Sequence, residues 1–416
     1  MVAGVASLLL VGGAGYAATR PAGPGGPGGS GASGTSAPVR DGDALRAEQE
    51  AFAAGQQVLG GEREPGTPAV QRLEHDRVLF TVSVAPARPG PNLVRVDTLP
   101  LDAKAHRQHR GLPVQVGTSE QDLVEATPRP GTDGLWAVVD LPEGTGTVLV
   151  THGPRHRVPF PVETGRDDGA GQDARALWTG PDGPECLAAA SAAFLAGADG
   201  AGTTTTTCPA AELSEADRSS LVSVVDTLAA RGVEEVAVAA DGSARSQEAL
   251  QAVQQAATAA GVAVVDPAQR PGTRNALLVV SGWAEAATSL ADTWALPPTE
   301  QPIRNDGTWL APWLLTPQVV DSTPGVVLAL DFDIRDPGAR EFSNTLATYL
   351  PGQSPTASAY AAWRAVGDDA SAPGSTTLYA ASRAAVMPSM GGGHAHETEV
   401  AWFPGGTVTP IGAPAG

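Results

Sequence analysis

The sequence is short of positive charge. Its 416 residues carry 26 Lys and Arg against 45 Asp and Glu, a formal net charge of −19 at pH 7. Nucleic-acid binding rests on clustered Lys and Arg at phosphates, so that class of function is excluded. Cysteine is scarce as well, with only Cys186 and Cys208. They stand too far apart for a C-x-x-C redox pair, and neither is placed to carry a lipid anchor at the N-terminus. The chain also lacks a G-x-S-x-G elbow, a P-loop, a G-x-G-x-x-G following a predicted strand, and an H-E-x-x-H pair. With none of these local signatures, the sequence reads as that of a non-enzyme.

What is present is unevenly spread. Net charge is −2 over residues 1–75, −1 over residues 76–165 and −16 over residues 166–416. Hydrophobic residues make up 42%, enough to build packed cores rather than a disordered chain. The length predicts two to three domains of roughly 100–200 residues.

Residues 2–19, VAGVASLLLVGGAGYAAT, are uncharged. A run of that length is a candidate membrane anchor, and Gly15-Tyr16-Ala17-Ala18 is also a candidate cleavage region of a signal peptide. Both readings predict an extracytoplasmic protein, membrane-anchored or secreted. In that compartment Cys186 and Cys208 are expected to form a structural disulfide. Residues 20–75 read as a Gly/Pro/Ser linker followed by a short helix over Asp43–Leu59, with Leu45, Phe52 and Leu59 at seven-residue spacing.

From Arg77 the period changes to two. Val78, Phe80, Val82 and Val84 alternate with Leu79, Thr81 and Ser83, the pattern of a half-buried strand. Further strands are predicted at Leu93–Val96, Val114–Val116, Leu135–Asp140, Thr147–Thr151 and Arg157–Val162. So many short strands between turns predict an Ig-like β-sandwich over residues 76–165, with Phe80 and Trp136 in its core. After residue 173 strands alternate with helices. Helices are predicted from Ser214 to Ala230, Ser246 to Ala260 and Trp283 to Thr293, and others opening at Asp336-Pro337 and Ser354-Pro355. Strands are predicted at Val233–Ala240, Val262–Asp266, Ala276–Val280 and Val326–Leu330. This alternation predicts βαβ units and a Rossmann-like, mostly parallel sheet.

Two family resemblances follow. The turn Pro86-Ala87-Arg88-Pro89-Gly90-Pro91-Asn92 and the strand Trp136-Ala-Val-Val-Asp-Leu141-Pro142 resemble the YtkA/FixH-like β-sandwich, a module found with copper-resistance proteins of the CopC and CopD type. Arg231-Gly-Val-Glu-Glu-Val-Ala-Val-Ala-Ala-Asp241, Ala260-Gly-Val-Ala-Val-Val265, Gly325-Val-Val-Leu-Ala-Leu330 and Pro355-Thr-Ala-Ser-Ala-Tyr-Ala-Ala-Trp363 resemble a type I periplasmic-binding domain of the leucine-binding kind. That resemblance spans residues 173–412. About 40 residues precede Leu213, so the first lobe of the family is reduced here.

Open α/β sheets hold ligands at the carboxyl ends of their strands. The loops there offer Asp241, Ser243, Ser281, Trp283 and Asp331, which either bind a solute carboxylate at a helix N-terminus or simply cap helices. Met387, Met390, His394 and His396 fall within ten residues of a Gly-rich stretch and form a candidate copper site, since thioethers suit Cu(I) and imidazoles Cu(II). His106 and His109, with His152 and His156, would bring four imidazoles together if their segments meet. The adjoining Arg107, Arg110, Arg155 and Arg157 favour an exposed basic edge that docks the acidic C-terminal domain or an anionic lipid surface, and His75 stands alone. The expected function is non-catalytic binding of a small solute or of a membrane protein partner by a membrane-tethered chain. Copper handling and a scaffold without small ligand are the alternatives.

Overall fold

In the computed structural model the alternation that begins at Val78 becomes the central strand of an antiparallel sheet. The structure describes residues 57–59, 64–129, 132–154, 156–166, 183–196, 207–366, 375–383, 402 and 406–415. Strands β1 (Gln57–Leu59), β2 (Ala69–His75), β3 (Val78–Ala85), β4 (Gly90–Pro100) and β7 (Leu135–Leu141) pair in that order. A second sheet is ordered β6 (Val124–Glu125), β5 (Val114–Gly117), β8 (Thr145–His152) and β9 (His156–Glu163). Val78, Phe80, Val82, Val84, Val94 and Val96 of the first sheet share one buried cluster with Val114, Val116, Val148, Val150, Val158 and Phe160 of the second. Full burial of each such side chain contributes about 1.5–3 kcal/mol. A short helix, α1 (Ala103–His109), follows β4 and is capped by the Asp102 carboxylate on the Ala105 amide at 2.7 Å.

Strand β3 is not half-buried as its alternation predicts. Thr81, Ser83 and Ala85, on the face away from Phe80, are buried too. The reason is tertiary: helix α7 (Pro337–Tyr349) lies against β2 and β3. The predicted helix over Asp43–Leu59 is corrected at its end, where Gln57–Leu59 pairs with Val70–Arg72 as an edge strand. The remainder of that helix lies outside the described residues, as do residues 2–19. Among the described residues no helix is long and apolar enough to cross a membrane.

The α/β part has one sheet, ordered β11 (Ala263–Val265), β10 (Glu235–Ala239), β12 (Asn275–Val279), β13 (Thr308–Leu310), β14 (Val326–Leu330), β15 (Thr377–Arg383) and β16 (Gly406–Gly412). The first five are parallel and the last two antiparallel. Five helices, α2 (Gly183–Ala196), α3 (Glu215–Ala230), α4 (Ala244–Ala260), α5 (Trp283–Ala295) and α8 (Ala357–Val366), join α7 and the single turn α6 (Pro317–Val320) around it. Local signals fix several ends. Ser214 caps α3 through the Asp217 amide, and Gly261 closes α4 in the left-handed conformation. Uniform burial explains why hydrophobic periodicity does not show α2: the helix is Ala-rich and buried on every side from Glu185 to Leu195.

Cys186 of α2 and Cys208 are joined in the expected disulfide. It closes a loop with a sequence separation of 22, which stabilises by about 3 kcal/mol on the loop-entropy argument. Replacing both cysteines by serine is expected to lower the unfolding free energy by about that amount. Urea denaturation checks it, and an unchanged midpoint at unchanged slope contradicts it.

The sheets and the α/β part belong to one compact unit, residues 46–416. Ala85, Leu93 and Trp136 of the first sheet join the large cluster of the α/β part rather than the cluster between the two sheets. A backbone seam reinforces the contact: the Asp133 amide donates to the Gly352 carbonyl at 2.9 Å, and Thr132 bridges to Gln353. Arg95, 4% exposed, lies over this seam and donates to the Asp133 carbonyl at 3.1 Å. A Cβ at Gly352 would come within 2.8 Å of the Arg95 guanidinium, so both this close approach and a φ of +88° require glycine there.

Candidate functional site

The predicted strand-end residues separate into two places. Asp241, following β10, accepts from the Gly282 amide at 2.6 Å, the Ser243 amide at 2.9 Å and the Ser243 hydroxyl at 2.5 Å. Burial works to raise this carboxyl, but those hydrogen bonds outweigh it and hold it below the ordinary carboxylate range. Asp241 therefore ties the β10 and β12 loops together, while Ser243 makes no side-chain cap bond to α4. The Ser281 hydroxyl is buried without a hydrogen-bond partner. Trp283 is 8% exposed and its Nε1 donates to the Trp313 carbonyl at 2.8 Å, while Trp313 Nε1 donates to the Ser281 carbonyl at 2.9 Å. Both indoles are thereby fixed in the core.

Asp331, after β14, is held by Arg364 of α8 at 2.8 Å. It lines a depression of about 250 Å³ with Asp217, whose carboxyl burial pushes up to about 6. Between these two places, above the strand ends, lies a buried ion pair. Arg245 of α4 reaches Glu185 of α2 through two hydrogen bonds of 2.5 and 2.8 Å, and both residues are under 6% exposed. The Ser358 hydroxyl of α8 donates to Glu185 at 2.7 Å, and Arg245 stands 4.4 Å over the Trp313 ring. Helices α2 and α8 and this pair thus occupy part of the region in which open sheets usually hold ligands, beside the depression at Asp331.

Open space lies elsewhere. A cleft of about 670 Å³ runs along the seam between the first sheet and the α/β part, within the roughly 300–1,000 Å³ usual for small-molecule sites. Thr132 and Asp133 form one wall; Gln318, Asp321, Ser343, Asn344, Gln353 and Trp402 line the rest. Three of its polar atoms are buried and lack a hydrogen-bond partner: Gln318 Oε1, Gln353 Oε1 and Trp402 Nε1. Gln353 is 6% and Trp402 2% exposed. Unpaired buried polar atoms cost on the order of 1–3 kcal/mol each, and these three sit behind the cleft wall with no open surface of their own. Among the described residues no Lys or Arg lines it, while Asp133 and Asp321 do. None of these residues belongs to a recognisable motif; uncharged amides and a lone indole give no spacing signal, and only the tertiary seam assembles them.

Met387, Met390, His394 and His396 lie outside the described residues. Of the basic edge expected around the other histidines, His106, Arg107, Arg110 and Arg157 are exposed, whereas His109 and His152 are buried, 5% and 4% exposed.

No family model matches the chain, and no curated protein matches it. Solved structures do. A solute-binding protein of an ABC transporter from Rhodopseudomonas palustris, in complex with 3,4-dihydroxybenzoic acid, is 13% identical with a TM-score of 0.32, over 48% of this chain and 66% of that one. A substrate-binding periplasmic protein from Ralstonia solanacearum is 16% identical with a TM-score of 0.29, over 37% and 49%. An ABC transporter substrate-binding protein from Desulfitobacterium hafniense, in complex with Leu, is 18% identical with a TM-score of 0.27, over 36% and 47%. The chain spans about half to two thirds of the length of these neighbours. Likeness of this degree fixes neither family nor ligand. The YtkA/FixH resemblance gains no support from these structures, and neither does copper handling.

Proposed function

We propose that the protein is a non-catalytic, extracytoplasmic solute-binding protein whose ligand lies in the seam cleft. In this reading the two sheets, which begin at β1 and β2 and run to residue 165, and the α/β segment 173–412 supply opposite walls, and the residues before Gln57 serve as export signal or anchor and tether. The observation that carries it is a cleft of suitable size whose described lining is amides, hydroxyls and the carboxylates of Asp133 and Asp321. Amides, hydroxyls and two carboxylates ask for a ligand bearing hydroxyl or amino groups. Asp133 and Asp321, without a lining cation, disfavour a carboxylate. The Cys186–Cys208 disulfide supports a compartment outside the reducing cytoplasm. The strand-end group of Asp241, Ser243, Ser281, Trp283 and Asp331 serves as frame in this reading.

A thermal-shift screen tests it, with neutral polyols and sugars, small amines, and the carboxylates leucine and 3,4-dihydroxybenzoate. A ligand present at 100 times its dissociation constant is expected to stabilise by about 2.7 kcal/mol. Asn344→Ala, at an exposed position of α7 that lines the cleft, is expected to fold and to weaken that ligand about tenfold, the equivalent of one lost hydrogen bond of ~1.4 kcal/mol. Stabilisation by carboxylates alone overturns the ligand chemistry. No stabilisation by any compound favours the scaffold reading, for which the buried Glu185–Arg245 pair beside the strand ends is the supporting observation.

A further inference from the structure

A second group of polar side chains gathers at the far end of the two sheets, and the seam cleft does not use it. Three chain segments meet there. The β2–β3 hairpin turns at Asp76 and Arg77, with His75 paired to Val78 across it. The β8–β9 hairpin pairs His152 with His156. Helix α1 delivers His109 in its last turn. The ring of His156 lies 5.8 Å from that of His75 and 4.6 Å from that of His109, and His109 lies 4.9 Å from His152. Asp76 Oδ2 is 2.9 Å from His156 Nδ1 and 3.5 Å from His75 Nε2.

One ligand atom each from His75, Asp76 and His156 falls within 4.8 Å of the others. Beside them His109, 5% exposed, carries a buried Nδ1 without a hydrogen-bond partner and lines a hollow of about 790 Å³ together with Asp76 and His156. His152 Nδ1, behind it, is likewise unpaired. Buried imidazole nitrogens are normally hydrogen-bonded, so orphaned ones around a two-histidine, one-carboxylate group point to an ion. The neighbouring cations do not forbid one. Arg77 is taken up by Glu74 at 3.2 Å and Asp102 at 3.3 Å, and Arg157 by Glu120 at 2.7 Å.

We propose that His75, Asp76 and His156 form a binding site for a divalent transition-metal cation of the zinc type, with His109 at the wall of its open coordination side. Two imidazoles and a carboxylate suit Zn(II), Co(II), Ni(II) or Cu(II). They do not suit Mg(II) or Ca(II), which take oxygen ligands, and without a thioether or thiolate they do not favour Cu(I). The site needs none of the residues of the Met387–His396 stretch.

The test uses the full, untagged chain, stripped with a chelator and titrated with Zn(II) against a chromogenic competitor, with Co(II) absorption in the visible as a second readout. One equivalent is expected to bind, with Co(II) showing d–d bands of a protein-bound ion. Asp76→Asn keeps a residue type that tolerates the left-handed turn conformation, φ +50°, so it is expected to fold and to bind roughly tenfold more weakly. His75→Asn with His156→Asn is expected to abolish the one-equivalent step, with folding checked by circular dichroism. His394→Ala with His396→Ala is expected to change nothing. Unchanged affinity in Asp76→Asn and in the His75/His156 variant, or loss of binding in the His394/His396 variant, overturns the proposal.

Discussion

Glu185→Ala is expected to lower the unfolding free energy by about 3–5 kcal/mol, the usual cost of leaving one member of a buried ion pair without its partner. Arg245 is 3% exposed and would keep only the Pro209 carbonyl at 3.3 Å and the face of Trp313. The Ser358 hydroxyl would lose its acceptor at the same time. Replacing both charges at once, Glu185→Gln with Arg245→Met, is expected to recover most of the loss, because no uncompensated charge then remains inside. Urea denaturation of Glu185→Gln, Arg245→Met and the double variant, with Glu185→Ala beside them, checks this. Additive losses would show that the pair is not coupled as its geometry implies. Glu185 adjoins Cys186, and Pro209 adjoins Cys208, so ion pair and disulfide clamp the same junction. Losses from removing Glu185 and from removing the disulfide are therefore expected to fall short of their sum.

That junction was half legible in the sequence. Export predicts the disulfide, and Ser214 and Gly232 mark the ends of α3 because caps and left-handed positions are local chemistry. Helix α2 left no trace, since burial on all sides erases the amphipathic period by which helices are recognised. Strand β2 was hidden for a related reason. Gln71 sits buried in it, donating to the Pro161 carbonyl at 2.6 Å, and so breaks the expected polar and apolar alternation. Strand β13 is three residues long and carries its burial in Trp309 and Leu310 alone. The candidate sites were the least legible part. His75 looked isolated because its neighbours His156 and His109 reach it only through two hairpins and a helix end. Gln318, Gln353 and Trp402 have in common only a seam that no local pattern announces.

Trp136→Ala is expected to cost about 3–5 kcal/mol as well, and the size follows from where the indole points. Trp136 stands on β7 opposite Arg95 and is 2% exposed, yet it packs with the α/β cluster instead of the space between the two sheets. Its Nε1 donates to the Asp133 carbonyl at 3.0 Å, the same oxygen that Arg95 reaches. Removing the ring leaves a cavity at the seam and takes away one of the contacts that position Asp133 against Gly352. Sheet unit and α/β part are therefore expected to weaken together, in one shifted unfolding transition seen alike by intrinsic fluorescence and far-UV circular dichroism. Phe80, buried between the two sheets and remote from the seam cluster, is the control: Phe80→Leu destabilises without touching the cleft. If the seam cleft holds the solute, Trp136→Ala weakens that ligand while Phe80→Leu does not. Two separate transitions in Trp136→Ala, with the ligand-linked one unmoved, would mean that the seam neither couples the parts nor forms the site.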